Sequence, residues 1–298
     1  MGDYHVHLHP HGPYRGVGPE PGDYPASHLE AYVEAAAARG ASEIAFTEHL
    51  YRCVEAEAAL GPFWETEPRR DLADQTRTFV DEDRVLSLDR YVEAVVAAKD
   101  RGLPVLLGLE VDFFPDTIDA VLDLLAPYPW DVLIGSVHWV GGWSIDHADV
   151  AWEFERRGVR RAYEDYFTVE AQLAASGAVD VLAHVDVVKK HGHRLPEPPV
   201  DLYGPVVDGA ARSGTAVEVS TAGLRVPAAE IYPEPTLLGM FHEAGVPITF
   251  ASDAHMPADA ARDRNRAVEL ARRVGYTDRA AFRQRRRTQV PIDEEEVR

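Results

Sequence analysis

The sequence predicts an α/β protein in which about seven strand–helix units close into a barrel. Three observations lead there. Short apolar runs alternate with longer amphipathic stretches through most of the 298 residues. The short runs suit buried strands, and the long stretches repeat their apolar residues at helical spacing. Several long stretches end in glycine just before the next run, where a left-handed cap is needed. Alternation of this kind makes parallel strands with right-handed crossovers, and seven such units favour a barrel over a doubly wound open sheet.

The elements follow in order. Tyr4–Leu8 is the first expected strand, stopped by Pro10, and Leu29–Arg39 is a helix ended by Gly40. Glu43–Thr47 is the second strand. Arg52–Leu86, acidic and interrupted by Pro62 and Pro68, is expected to form loops or a lid over a site. Leu88–Arg101, closed by Gly102, leads to the third strand, Val105–Leu109, and Thr117–Leu125 leads to the fourth, Val132–Val137. Trp139–Arg161, with Gly141-Gly142, is the second insertion. Tyr163–Ser176, Leu202–Ser213 and Thr236–Ala244 are helices before the last three strands, Val179–Ala183, Ala216–Ser220 and Pro247–Ala251. Asp293–Arg298 is a charged tail expected to fray. No linker divides residues 1–298, so one domain is expected.

Fifty acids stand against 30 bases, a formal net charge of -20. Such a surface repels nucleic acid and anionic membranes, which leaves a small molecule as the expected partner. Cys53 is the single cysteine, so no internal disulfide and no site built on cysteine ligands is expected. No apolar run is long enough to span a membrane, and no leader opens the chain; the cytoplasm is the expected compartment.

The chemistry gathers at strand ends. In Asp3-Tyr4-His5-Val6-His7-Leu8-His9-Pro10-His11, His5 and His7 are two apart and share one face of a strand, suited to one metal ion. Thr47-Glu48-His49, Glu110-Val111-Asp112, Ser136-Val137-His138, Ala183-His184 and Ser252-Asp253-Ala254-His255 close later strands. In a parallel barrel these ends meet on one rim. A single histidine after a strand is usually structural; the argument rests on the set. Imidazole with carboxylate suits Zn, Mn or Fe, and the ligands outnumber what one ion takes, with Glu110 the best bridge. Arg225, in Gly223-Leu224-Arg225, and Lys190 are candidate substrate-binding residues for phosphate, although Lys189-Lys190 also reads as a solvated pair. Asp112 is read either as a partner for a substrate cation or as a support for a ligating histidine. His28, His147 and His242 lie away from the motifs and carry no expected role, and Cys53 is expected to be inert.

Taken together these segments resemble the PHP family, named for polymerase and histidinol phosphatase, over residues 3 to 256. Within it the chain is similar to the histidinol-phosphate phosphatases, through Pro10-His11-Gly12, Thr47-Glu48-His49, Gly108 to Asp112, Ser136 to Trp139 and Ser220 to Arg225. The resemblance implies a distorted (β/α)7 barrel with three divalent metals. It assigns His5, His7, Glu110 and Asp253 to the first, Glu110, His138 and His184 to the second, and His11, His49 and His255 to the third. His11 is favoured over His9 at the third because it sits in Pro-His-Gly. Glu110, Asp253 and His255 are the implied catalytic group. The implied reaction is hydrolysis of a small phosphate monoester, L-histidinol phosphate first. Other phosphoesterase substrates, a non-catalytic metal-binding domain and an amidohydrolase barrel are the alternatives; the last normally has eight strands.

Overall fold

The computed structural model describes residues 1–11 and 16–292, so the charged tail expected at Asp293–Arg298 lies outside the described residues. Its strands, in chain order, are β1 (Gly2–Val6), β2 (Glu43–Phe46), β3 (Val105–Asp112) and β4 (Val132–Ser136), then a small hairpin of β5 (Trp139–Val140) and β6 (Trp143–Ser144). β7 (Val181–Leu182), β8 (Ala216–Ser220) and β9 (Ile248–Ala251) follow, and a second hairpin of β10 (Asp278–Arg283) and β11 (Arg286–Pro291) ends the described chain. Seven strands form one parallel sheet in the order β1-β2-β3-β4-β7-β8-β9. The two edges meet where Val6 bridges Ala254 and the His7 amide donates to the Ala254 carbonyl at 2.8 Å. Asp3 ties the same seam, accepting from the Ser252 amide at 2.8 Å and the Ala261 amide at 2.7 Å. The result is a nearly closed barrel.

Every residue of β3, β4 and β8 is buried, as expected of parallel strands covered on both faces. Helices such as Leu88–Asp100, Val159–Ser176 and Val200–Ser213 cover the outside with their apolar stripes. Val159–Ser176 stops at Gly177, whose φ of 65° supplies the left-handed cap anticipated from the sequence. Inside the barrel lies a separate apolar cluster that includes Tyr4, Leu106, Ile134, Val181 and Ala216. Ala280 and Phe282 of β10 belong to it, so the second hairpin plugs the end where the strands begin. Its turn is fastened there: Arg285 pairs with Asp180 at 3.0 Å, and the Arg285 amide donates to the Asp131 carbonyl at 2.9 Å. The opposite rim is left open for a site.

Several expected boundaries shift. The first strand is Gly2–Val6 rather than Tyr4–Leu8, because the backbone turns at His7 from β2 to the Ala254 carbonyl. Val179–Ala183 shortens to Val181–Leu182. Within Arg52–Leu86 runs a 14-residue helix, Arg70–Asp83, that buries Leu72, Thr76, Val80 and Asp83 on one face. Pro68 stands two residues before it and marks its start rather than a loop. The helix Arg264–Val274 and the hairpin β10–β11 were not expected. Among the described residues no helix is long and apolar enough to cross a membrane.

Candidate metal centre

The open rim is lined by the ends of the barrel strands. β1 presents His5, and His7 follows it directly; His49 comes three residues past β2, and Glu110 sits within β3. His138 and His184 each stand two residues past their strands, β4 and β7, and Asp253 and His255 follow β9. These eight side chains converge, and Glu110 is their centre. Its Oε2 lies 2.6 Å from His49 Nδ1, 3.4 Å from His5 Nε2 and 3.6 Å from His7 Nε2. Its Oε1 lies 3.1 Å from His184 Nε2 and 3.4 Å from His138 Nε2. Asp253 Oδ1 faces His7 Nε2 at 3.2 Å and His5 Nε2 at 3.7 Å. A second focus lies beside the first, where His11 Nε2 is 2.8 Å from both His49 Nε2 and His255 Nε2. His9 is turned elsewhere: its ring is buried against Tyr24 at 4.6 Å between centroids.

An outer layer holds these rings in place. Asp112 Oδ1 lies 2.8 Å from His138 Nδ1, and Asp112 Oδ2 accepts from the Tyr51 amide. Asp112 is thus placed as a support for a histidine, the second of its two expected readings. Glu218 lies 3.0 Å from His5 Nδ1 and accepts from the His184 amide at 2.8 Å. Two members hold left-handed backbone, His184 at φ 26° and Asp253 at φ 51°. A non-glycine residue there costs about 1–2 kcal/mol, a strain that the surrounding barrel imposes.

The electrostatics separate the rings into two kinds. Burial, then the neighbouring His49 and His255, push His7 and His11 well below the usual imidazole range. Burial also lowers His255, to about 4. Burial works against charge on His5 too, but Glu218, Glu110 and Asp253 outweigh it and raise His5 well above that range. Glu110 is driven up by burial, yet His49, His5 and His138 together hold it well below the carboxylate range. Neutral imidazole and ionised carboxylate are the forms that ligate metals.

The donor set fits a metal. Three Nε2 atoms converge at His11, His49 and His255, and one proton serves only one such pair. Two nitrogens on one tetrahedral zinc stand about 3.3 Å apart, close to the 3.0 Å between His5 Nε2 and His7 Nε2. Among the described residues, four groups of three potential ligand atoms lie within 4.8 Å of one another: His7 with His49 and His255, His5 with His7 and Glu110, His5 with His184 and Asp253, and His49 with Glu110 and His138.

A PHP-domain family model matches residues 23–222. The chain belongs to the PHP family. A curated relative in Deinococcus radiodurans, called a probable histidinol-phosphatase, is 35% identical over 82% of this PHP chain and 86% of its own length. The histidinol-phosphatase of Bacillus subtilis is 28% identical over 78% of the chain and 88% of its own. Among solved structures, the Lactococcus lactis histidinol phosphate phosphatase complexed with zinc, L-histidinol and phosphate superposes with a TM-score of 0.69 at 20% identity, covering 96% of this chain and 98% of that one. A putative histidinol phosphatase from Listeria monocytogenes gives the same score and identity over 89% and 99%.

Above the PHP ligand cluster opens a cavity of about 320 Å3. His11, His49, His138, His184, Asp253 and His255 form its floor. Its wall carries both expected substrate-binding residues. Arg225 is anchored by Nη2 to the Ser252 carbonyl at 2.5 Å, and Lys190 Nζ donates to Asp146 at 2.8 Å. Gly223 lets the Arg225 segment pass close to Glu230; a Cβ there would come within 2.0 Å of that carbonyl oxygen.

Both insertions reach the wall, Arg52–Leu86 through Phe79 and Trp139–Arg161 through Trp139, Asp146 and His147. His147 therefore corrects its expected lack of role: it lines the cavity against Phe79, with ring centroids 4.7 Å apart. Lys189-Lys190 is not a solvated pair, because Lys189 is buried between Asp186 at 2.6 Å and Glu230 at 2.8 Å. His28 bonds the Leu8 carbonyl and His242 packs on Tyr276, both away from the cavity. Cys53 is buried, which pushes its thiol well up and leaves it unreactive. The sequence reading missed Glu218 and Asp146. Glu218 left a signal, an acid in the middle of the apolar strand Ala216–Ser220.

Proposed function

We propose that this PHP protein is a metal-dependent phosphatase that hydrolyses L-histidinol phosphate to L-histidinol and phosphate, as a cytoplasmic step of histidine biosynthesis. The observation that carries the chemistry is Glu110 within 3.6 Å of five imidazoles, three of which, His49, His138 and His184, line a cavity. The names of the relatives from Deinococcus radiodurans and Bacillus subtilis support the substrate.

Three metal positions are assigned, for Zn, Mn or Fe. His5, His7, Glu110 and Asp253 would hold one, Glu110, His138 and His184 a second, and His11, His49 and His255 a third. Divalent metals held there would supply an acidified water and positive charge to offset that of the phosphoryl oxygens. The protein's own residues do the rest. Glu110, buried and held in its ionised form, would serve as a ligand at two of the positions. Asp253 and His255 stand where floor and cavity meet, with Asp253 Oδ1 3.6 Å from His255 Nδ1, and form with Glu110 the catalytic group. Arg225 and Lys190 bring positive charge against a dianionic ester. Phe79 and Trp139 shield the reacting centre from bulk water. The net charge of -20 supports a small-molecule substrate over nucleic acid.

The test is metal analysis of the untagged protein together with phosphate release from L-histidinol phosphate and a panel of other monoesters. Two or three metals per chain, with turnover far above the panel, is the expected result. A metal-loaded protein that prefers another ester refutes the substrate. A protein without metal that stays inactive after metal is added refutes the enzyme.

A further inference from the structure

One ion pair in the cavity wall, Asp146 with Lys190, has chemistry beyond holding phosphate. Lys190 Nζ lies 2.8 Å from Asp146 Oδ2, and Ser144 Oγ lies 3.2 Å from Asp146 Oδ1. Both charged heads open onto the cavity, with side chains 22% and 32% exposed. Asp146 and Asp253 are the two carboxylates lining the cavity among the described residues. Asp253 is committed to His7 at 3.2 Å and His255 at 3.6 Å. Asp146 instead meets a lysine on a flexible four-carbon stem. Burial favours its neutral form, but Lys190, then His138 and His184, hold Asp146 far below the carboxylate range. It therefore presents a full negative charge close to the floor.

We infer that Asp146 is the receptor for a substrate ammonium carried next to the phosphate ester, and that Lys190 leaves it for the phosphate when such a substrate binds. This rests on the histidinol-phosphate reading and names the residue that reads its amine. In that substrate two carbons separate the ammonium nitrogen from the ester oxygen, so the two atoms stand no more than about 4 Å apart. An amine receptor must then share the cavity with the metal floor, as Asp146 does. The ammonium replaces the lysine head one for one, with the same charge and the same three donors. The displaced Lys190 adds its charge to the phosphate end. Beyond Asp146, Phe79 and His147 stand 4.7 Å apart and Tyr51 and Trp139 5.1 Å apart, which gives the substrate ring flat walls to pack on.

An ester without the amine leaves Asp146 paired with Lys190 rather than stranded. Its rejection therefore falls short of the ~10⁴-fold typical of a bare polar site, and about 10²-fold is expected. The experiment is the ratio of kcat/KM for L-histidinol phosphate to that for 3-(imidazol-4-yl)propyl phosphate, the same ester without its amine. The ratio should be about 100 in the wild type and near 1 in Asp146→Asn, with the change carried by KM. A partly folded variant lowers both activities alike and leaves the ratio untouched. Calorimetric binding of L-histidinol, which needs no turnover, should weaken by about 10-fold or more in the same variant. A ratio in Asp146→Asn equal to the wild-type value overturns the receptor. A wild type that turns over both esters equally overturns it while leaving the phosphatase intact, and one that turns over neither overturns both.

Discussion

The floor of the cavity and its wall are built on different plans. Each of the nine converging side chains beneath and on the floor, His11 apart, lies in a barrel strand or within four residues of its end. The barrel itself aims those side chains, and Glu110 collects them at the centre. The wall comes mostly from segments between strands: Phe79 on the helix Arg70–Asp83, Asp146 and His147 after the hairpin β5–β6, and Lys190 beyond His184. Those residues touch one another, as Phe79 meets His147 and Lys190 meets Asp146, and only secondarily the barrel. Under the proposed function, reaction would fall to the frame and selectivity to the insertions, so each should be alterable without the other.

Glu110→Gln is the harshest test of that division. Loss of a partner in an outer layer typically costs 10–100-fold, and Glu110 faces the ligands directly, so activity on every ester should fall by about 10³-fold or more. Metal content should fall with it; a variant that keeps its metal and its turnover refutes the central role of Glu110. Phe79→Ala should act on the wall alone. Removing one ring from a binding face costs about 1–3 kcal/mol, so KM for L-histidinol phosphate should rise about 10-fold with metal content unchanged. A small ester without a ring should respond by less than about 3-fold. An equal loss on both esters would mean that the wall shapes the floor. The smallest effect is expected far from both. Arg285→Ala, at the plugged end, removes a partly exposed pair worth up to about 1 kcal/mol, so Tm should fall by about 2 °C. A change in kcat there would couple the two ends of the barrel, which the comparison excludes.

The same division explains what the sequence revealed. The seven strands could be read because parallel strands are short apolar runs set off by glycine-ended helices. Eight of the nine converging residues could be read because each lies in its strand or follows it so closely that the strand's direction becomes its own. His11 was distinguishable from His9 only through its setting in Pro10-His11-Gly12, and the His49–His11–His255 contact agrees with that choice. The wall was illegible for a physical reason. Asp146 and His147 gain their place from contacts with Lys190 and Phe79, 44 and 68 residues away, and no local pattern encodes such pairs. The helix Arg70–Asp83 did leave a trace in Leu72, Thr76 and Val80, but its polar composition and the prolines before it masked the stripe. The helix Arg264–Val274 hides its buried Ala267, Val268, Leu270 and Ala271 among arginines. β11 is largely exposed and carries no apolar alternation at all.

The plug at the closed end bears on how the molecule comes into being. Ala280 and Phe282 pack inside the barrel with Tyr4 of β1, and the Phe282 amide reaches the Tyr4 hydroxyl across 278 positions of chain. During synthesis the seven strands emerge first and wait with an unfilled interior. At about 5–20 residues per second, the interval between Tyr4 and Phe282 lasts roughly 14–56 seconds. Through that interval the apolar surface that Ala280 and Phe282 cover in the finished barrel waits for its last partners.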